Sequence, residues 1–368
     1  DPFALVLAGT ALEVSAFVFE IPTGVVADVI SRRLSVIIGF FIMGIGFCIE
    51  GLAPLVVLVM ASQVVWGLGW TFISGAKAAW ITDEVGVDEA AALFIRGTQL
   101  NHIGIMVGGT AGVILANYAL RLPFLVGGVL YMLTGLLLVF IMPETGFQKA
   151  DTADRQTWAQ MKETVQIGLG QIRASRPLLL FFLSLLFIGL YSEGFDRLWE
   201  PFFLEAITFP KISGVTLSTV TWFGIIQAGS IWLILLGSEV VKRLVKQNER
   251  SIIRVLPWMY VVVVLTLAGL SLMDLLIPAA VLIWIIHVFR SVAYPLGTTW
   301  INHQTKSKVR ATMLSFASQV DALGQMTGGP VLGGIGSLFG LRWALRSSAA
   351  LLLPAVAVLL RLGRRDND

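Results

Sequence analysis

The 368-residue chain is 56% hydrophobic and only 13% charged, with a formal net charge of +3. A water-soluble protein of this length needs more polar surface than that composition supplies, so the sequence is that of a polytopic membrane protein. Its basic residues stand in short loops between apolar runs, so the excess charge reports topology and implies no nucleic-acid partner.

About 20 apolar residues cross a bilayer as helix, and on that ruler the chain holds about eleven spans in an all-α fold. The first half gives Pro2–Ile30, Leu34–Leu52, Pro54–Thr82, Ala90–Ala116 and Leu122–Met142. A polar stretch, 143–176, follows; its charged segment Asp154–Glu163 reads as a linker with a helix lying on the membrane surface. The second half gives Pro177–Ala206, Val215–Arg243, Ile252–Met273, Leu275–Asn302, Val309–Phe339 and Arg342–Leu362. The expected organisation is therefore a five-span bundle over 1–142, a linker over 143–176, and a six-span bundle over 177–368.

On these spans Arg32 and Arg33, the basic residues of 149–176 and 242–254, Lys306 to Arg310 and Arg361 to Arg365 share one side. Arg121, Lys211, Arg342 and the deeper Arg346 fall toward the other. This bias makes the first side cytoplasmic and places the C-terminus there, in a cell (inner) membrane. Asp1-Pro2 resembles a truncation more than a signal peptide. Cys48, the single cysteine, excludes an internal disulfide and a cysteine metal cluster.

Gly24-Val25-Val26-Ala27-Asp28-Val29-Ile30-Ser31-Arg32-Arg33 is a short charged turn between two membrane-length runs. Its pattern, G-x-x-A-D-x-x-x-R-R, resembles the signature loop between the second and third helices of major facilitator superfamily transporters. The resemblance implies two matched six-helix halves, so one helix is expected ahead of Asp1. The spacing Gly97, Gly104, Gly108, Gly109, Gly112 is similar to the fifth-helix signature of drug:proton antiporters, with Gly109 replacing its proline and Val113 its last glycine. Gly324, Gly328, Gly329, Pro330, Gly333 and Gly334 repeat the pattern with the proline present. Small residues at such spacing let two helix backbones approach, which makes Gly104, Gly108, Gly112, Gly328, Gly329 and Pro330 expected contact points. Glu20-Ile21-Pro22-Thr23-Gly24 and Gly194-Phe195-Asp196-Arg197-Leu198-Trp199-Glu200 resemble tetracycline- and macrolide-efflux members. The arginine such members carry ahead of Gly67-Leu68-Gly69 is Gln63 here.

Ionisable groups inside a membrane cost free energy unless paired, hydrated or neutralised, which makes each a functional candidate. Gly24, Asp28, Arg32, Arg33 and Asp83 form the expected gate. By resemblance, Asp28 faces the start of the Val309 helix while Asp83 joins Arg32 or Arg33. Glu13 and Asp321 fall mid-membrane and are the candidates for a proton-linked carboxylate, with His287 and Arg290 sharing a helix face near Asp321. Otherwise each acid is a structural group paired with a base such as Arg290. Glu193, Asp196, Arg197 and Glu200 cluster in the sixth span, so Glu193, Asp196 and Glu200, with the aromatic Trp66, are substrate-cavity candidates. Lys77, Arg96, His102 and Glu20 fall nearer the gate.

No G-x-x-x-x-G-K-[ST], H-E-x-x-H or G-x-S-x-G is present, and the three histidines stand in different segments. Neither enzyme chemistry, a cofactor nor a metal is expected. The reading is a secondary transporter, a monomer, exchanging a small drug-like molecule for protons by alternating access. The alternatives are a metabolite uptake symporter on the same scaffold and a non-transporting membrane fragment.

Overall fold

The computed structural model describes residues 1–53, 55–147, 166, 170–211, 216–244, 249–305 and 307–365. The surface helix expected within Asp154–Glu163, and most of the 143–176 linker, lie outside the described residues. Eleven long helices carry the described chain: α1 Pro2–Val29, α2 Arg32–Leu52, α3 Val56–Val85, α4 Val87–Tyr118, α5 Leu122–Ile141, α6 Arg176–Ala206, α7 Thr219–Leu244, α8 Glu249–Leu270, α9 Leu276–Gln304, α10 Ser307–Phe339 and α11 Leu341–Arg365. These correspond to the eleven expected spans within a few residues. At several ends the helix outruns its apolar core: α4 takes in Asp88 and Glu89, and α11 runs on through Arg364. Helix needs only its own backbone bonds, so it persists where the side chains have already turned polar.

Nine of the described helices are long and apolar enough to cross a membrane. The other two, α4 and α10, are the glycine-patterned pair; in α4 the apolar part is Ile103–Tyr118. Local signals fix the joints. Ser31 caps α2 by accepting from the Leu34 N–H at 2.9 Å. Prolines open α5 and α6, where a missing N–H is harmless. Gly86 (φ 83°) separates α3 from α4, and Gly340 (φ 91°) separates α10 from α11. Both reversals need a backbone conformation that side-chain-bearing residues avoid.

The chain divides into two compact units, Asp1–Thr10 with Thr164–Asp368, and Ala11–Glu163. In the first unit α6 is central, packed on α10 and α11, while α8 packs on α11 and α9, and α9 on α7. Its core is dense with Phe181, Phe195, Leu198, Phe202 and Phe203 from α6, and with Val263, Ile283, Leu345 and Leu352 from its neighbours. Here α6 and α10 meet backbone to backbone. A Cβ on Gly189 would run into the Asp321 carbonyl, and one on Gly328 would run into that of Leu190. In the second unit α2 lies between α3 and α5. Its two faces are narrowed by glycine pairs: a Cβ on Gly39 would stand 2.7 Å from the Gly69 carbonyl, and one on Gly44 2.7 Å from that of Gly128. Such faces allow close packing where lipid supplies no hydrophobic drive between helices.

Candidate functional site

In the second unit the charged turn folds into a cluster. Arg32 reaches back one turn to Asp28 (3.9 Å), donates to the Ala79 carbonyl (3.1 Å), and bonds closely to the Asp83 carboxylate. The expected joining of Asp83 to the turn is thus made through Arg32. Gly24 lies one helical turn before Asp28 on α1.

A short strap after α5, which the sequence reading missed, covers this cluster. Glu144 accepts from the Ser31 hydroxyl (2.7 Å) and the Arg33 backbone N–H (2.9 Å). Arg33 turns its guanidinium to the Val139 carbonyl. Glu84, beside Asp83, accepts from the Thr145 N–H (2.7 Å), the Thr145 hydroxyl (2.7 Å) and the Gly146 N–H (2.9 Å). The Trp80 indole donates to the Pro143 carbonyl at 2.6 Å, and the Arg32 guanidinium lies over the Phe147 ring at 5.8 Å. Pro143-Glu144-Thr145 directly after an apolar run was the available signal. It marks where chain re-enters water but not what it will touch.

The first unit holds a cavity of about 370 Å³. It draws on four helices: Tyr191, Ser192 and Asp196 from α6, Tyr260 from α8, His287, Arg290, Ser291 and Tyr294 from α9, and Asp321 and Gln325 from α10. Asp196, His287, Arg290 and Asp321, four of the sequence-chosen residues, are brought together here. Their pairing differs from the simplest expectation. Arg290 places both terminal nitrogens on Asp196, at 2.5 and 2.7 Å, and lies over the rings of Phe195 (5.1 Å) and Tyr191 (5.6 Å). Asp321 instead accepts from the neutral Gln325 amide at 2.8 Å, one helical turn on. A fork-shaped guanidinium matches a carboxylate in two parallel bonds, and here that carboxylate is Asp196. Three of the chain's five tyrosines line this cavity. Tyrosine inside an apolar run was the overlooked signal, because its hydroxyl needs a partner that lipid cannot give.

Glu193 sits apart from this cavity. It is buried, 5% exposed, and accepts from Arg197 Nε at 3.0 Å. The start of α1 presses on that pair, so that a Cβ on Gly9 would overlap the Glu193 carboxylate. A Cβ on Gly329 of α10 would lie 3.1 Å from Glu193 Cγ and 3.1 Å from Thr10 Oγ1. Glu200 is exposed, one turn beyond Asp196. Trp66 belongs to the second unit, where it stacks on Trp70 (5.8 Å, 3°) with its indole nitrogen buried and without a hydrogen-bond partner among the described residues. Glu13 is half-buried on α1, Lys77 and Arg96 are exposed, and the His102 side chain lies outside the described residues. Of the expected contact glycines, Gly328 and Gly329 are tightly engaged, whereas a Cβ on Gly104, Gly108 or Gly112 would meet nothing within 4 Å among the described residues. Pro330 stands inside α10 between these contacts.

Known proteins agree with the architecture. A profile of the Major Facilitator Superfamily matches residues 1–289. The uncharacterized MFS-type transporter YxaM of Bacillus subtilis (strain 168) is 22% identical over 364 residues, 98% of this chain and 88% of that protein. Multidrug resistance protein 2 of the same strain is 25% identical over 118 residues, 32% of this chain and 30% of that one. The crystal structure of nucleoside transporter NupG superposes with a TM-score of 0.74 at 14% identity, covering 98% of this chain and 90% of its own, a likeness of fold alone. Membrane-length helices, the charged turn after α1 and a family profile spanning most of the sequence lead to one conclusion: the chain belongs to the Major Facilitator Superfamily and is a multi-pass secondary transporter.

Proposed function

We propose that the protein exports drug-like, amphipathic small molecules in exchange for protons, with the α6–α8–α9–α10 cavity as the site where substrate and proton are handled. The observation that carries this reading is the division of labour between two acids. Asp196 is committed to Arg290, while among the described residues Asp321 makes no ion pair and accepts from a neutral amide. Asp321 can therefore gain or lose a proton without breaking a salt bridge, and the energy of that change is available to the transport cycle. The surrounding tyrosines and His287 offer aromatic faces to a planar ligand. The partial likeness to Multidrug resistance protein 2 supports export of this substrate class.

The Asp28–Arg32–Asp83 cluster is then the cytoplasmic lock, opened and re-formed in each cycle. We read the chain as two bundles, 1–142 and 177–368, joined by the 143–176 linker, with the C-terminus in the cytoplasm. Glu13 remains a second candidate for proton coupling. The test is dye export from everted vesicles with and without a proton gradient. Gradient-driven accumulation of rhodamine 6G supports export, and accumulation indifferent to the gradient refutes proton coupling. A metabolite uptake symporter is the second reading, favoured by the serine, tyrosine and glutamine hydrogen-bonding groups of the cavity wall. It requires net uptake driven by the inward gradient in right-side-out vesicles.

A further inference from the structure

The outward stripe of α11 carries a cation that its protein neighbours leave half-used. Trp343, Arg346, Ala350, Leu353 and Ala357 follow one another three or four residues apart, which puts them on one face of the helix. That face is open: Trp343 is 54% and Leu353 52% exposed, and both alanines are exposed. Ala344, Leu345, Ser348 and Leu352 fill the core on the opposite side. In a helix long and apolar enough to cross a membrane, such an open stripe faces acyl chains.

Arg346 stands five residues past the start of α11, about 7.5 Å along the axis, so its Cα lies within the apolar span. Side chains on a helix lean toward its N-terminus. Here the guanidinium accordingly lies over the Trp343 ring at 5.0 Å, one turn back toward the membrane face where α11 begins. Tryptophan and the head of a leaning arginine both settle at the level of the lipid headgroups.

The protein occupies only one edge of this guanidinium. Arg346 Nε donates to Ser271 Oγ at 3.2 Å. Ser271 is 1% exposed and gives its own hydrogen to the Ala268 carbonyl at 2.7 Å, so it holds the arginine as a fixed acceptor. Arg342, one turn earlier, is already filled: it donates to the Ser271 carbonyl at 2.9 Å and to the Asp274 carboxylate. Asp274 is thereby committed. Among the described residues Arg346 makes no ion pair, and its two terminal nitrogens have no acceptor. A cation at this depth needs a counter-charge, and a planar fork of N–H donors matches an anion that offers two oxygens.

We propose that Arg346, with Trp343 and Ser271, forms a binding site for the phosphodiester of a membrane phospholipid whose acyl chains run along Leu353 and Ala357. A free phosphate carries the same oxygens but gains nothing from the apolar stripe beneath them, which favours the lipid. The assignment is independent of the export reading and needs only that α11 spans the membrane.

Native mass spectrometry of the purified protein released from detergent micelles tests it, with dioleoylphosphatidylglycerol as the probe. The parent should retain one lipid, and Arg346→Gln should hold it about tenfold more weakly. Arg346→Lys keeps the charge without the fork and should weaken it by a smaller factor. Lys211→Gln removes an exposed basic charge elsewhere in the same unit and should bind as the parent does. Equal retention by the parent and both Arg346 variants overturns the proposal. So does equal retention of dioleoylglycerol, which has the same chains and no phosphate, because the site is then an apolar groove. Displacement of the lipid by millimolar inorganic phosphate makes the ligand a free anion and overturns the lipid assignment.

Discussion

The two glycine-patterned helices permit a matched experiment, because the same small-residue spacing is buried in one and open in the other. In Gly328→Ala the new methyl would stand 2.6 Å from Leu190 Cα, where ordinary contact begins at 3.4 Å. The new methyl would also overlap the Leu190 carbonyl, and no rotamer change can move main chain aside, so α6 and α10 must part by at least about 3.4 − 2.6 = 0.8 Å locally. Overpacking of this kind costs about 1–3 kcal/mol. Replacing a helical glycine by alanine returns about 0.5–1 kcal/mol of backbone entropy, so the net loss spans about 0–2.5 kcal/mol, and the overlap with main chain sets it toward the upper end. Gly108→Ala meets nothing within 4 Å, so it should keep only the favourable part, about 0.5–1 kcal/mol. Unfolding of the two purified variants in the same detergent, followed by tryptophan fluorescence, reads the difference. At about 2–4 °C per kcal/mol for a large domain, Gly328→Ala should melt several degrees below the parent and Gly108→Ala at or slightly above it. Equal melting temperatures would refute the claim that α10, and not α4, uses its glycines for close packing.

Three further outcomes are expected. Asp321→Asn should abolish gradient-driven dye transport while leaving counterflow exchange at equal pH, and a variant that still responds to the gradient removes Asp321 from coupling. Asp83→Asn should impair transport more than Asp28→Asn, because Arg32 bonds Asp83 closely but reaches Asp28 only at 3.9 Å; the reverse order in a vesicle assay, at equal expression, counts against that geometry. Glu144→Ala removes the acceptor for Ser31 and the Arg33 N–H, and with about 1 kcal/mol per lost bond it should lower stability by about 2 kcal/mol. A melting curve that coincides with the parent's would show the strap to be idle.

How much of this was readable beforehand depends on the range of the interaction. Helix positions follow from runs of apolar residues, and the charged turn announces itself because an acid and two arginines interrupt those runs. The grouping of His287, Arg290 and Asp321 followed from depth, since residues equally far along their spans meet at one level, whereas Asp196 was expected with Glu193 and Glu200 and its place beside Arg290 was not foreseen. The partner of Arg290 did not follow from depth. Asp196 and Asp321 are both at plausible depth, and only the rotation of α6 against α9 sets the guanidinium on Asp196. At the α4 glycines spacing says that a backbone can approach, and among the described residues none comes within 4 Å of a Cβ built on Gly104, Gly108 or Gly112. Glu144 escaped notice because its partners, the Ser31 hydroxyl and the Arg33 N–H, stand far away in the sequence, and nothing local distinguishes it from an ordinary loop acid.

The crowding of Gly9 against the Glu193–Arg197 pair has an evolutionary corollary. Two positions far apart in the chain share one small volume, so a lineage that enlarges the first must either turn the Glu193 carboxylate aside from Arg197 or shorten it. Homologues with alanine or serine at the place of Gly9 should carry aspartate or a smaller side chain in place of Glu193. A family alignment in which the two positions drift independently would mean that the volume is not shared.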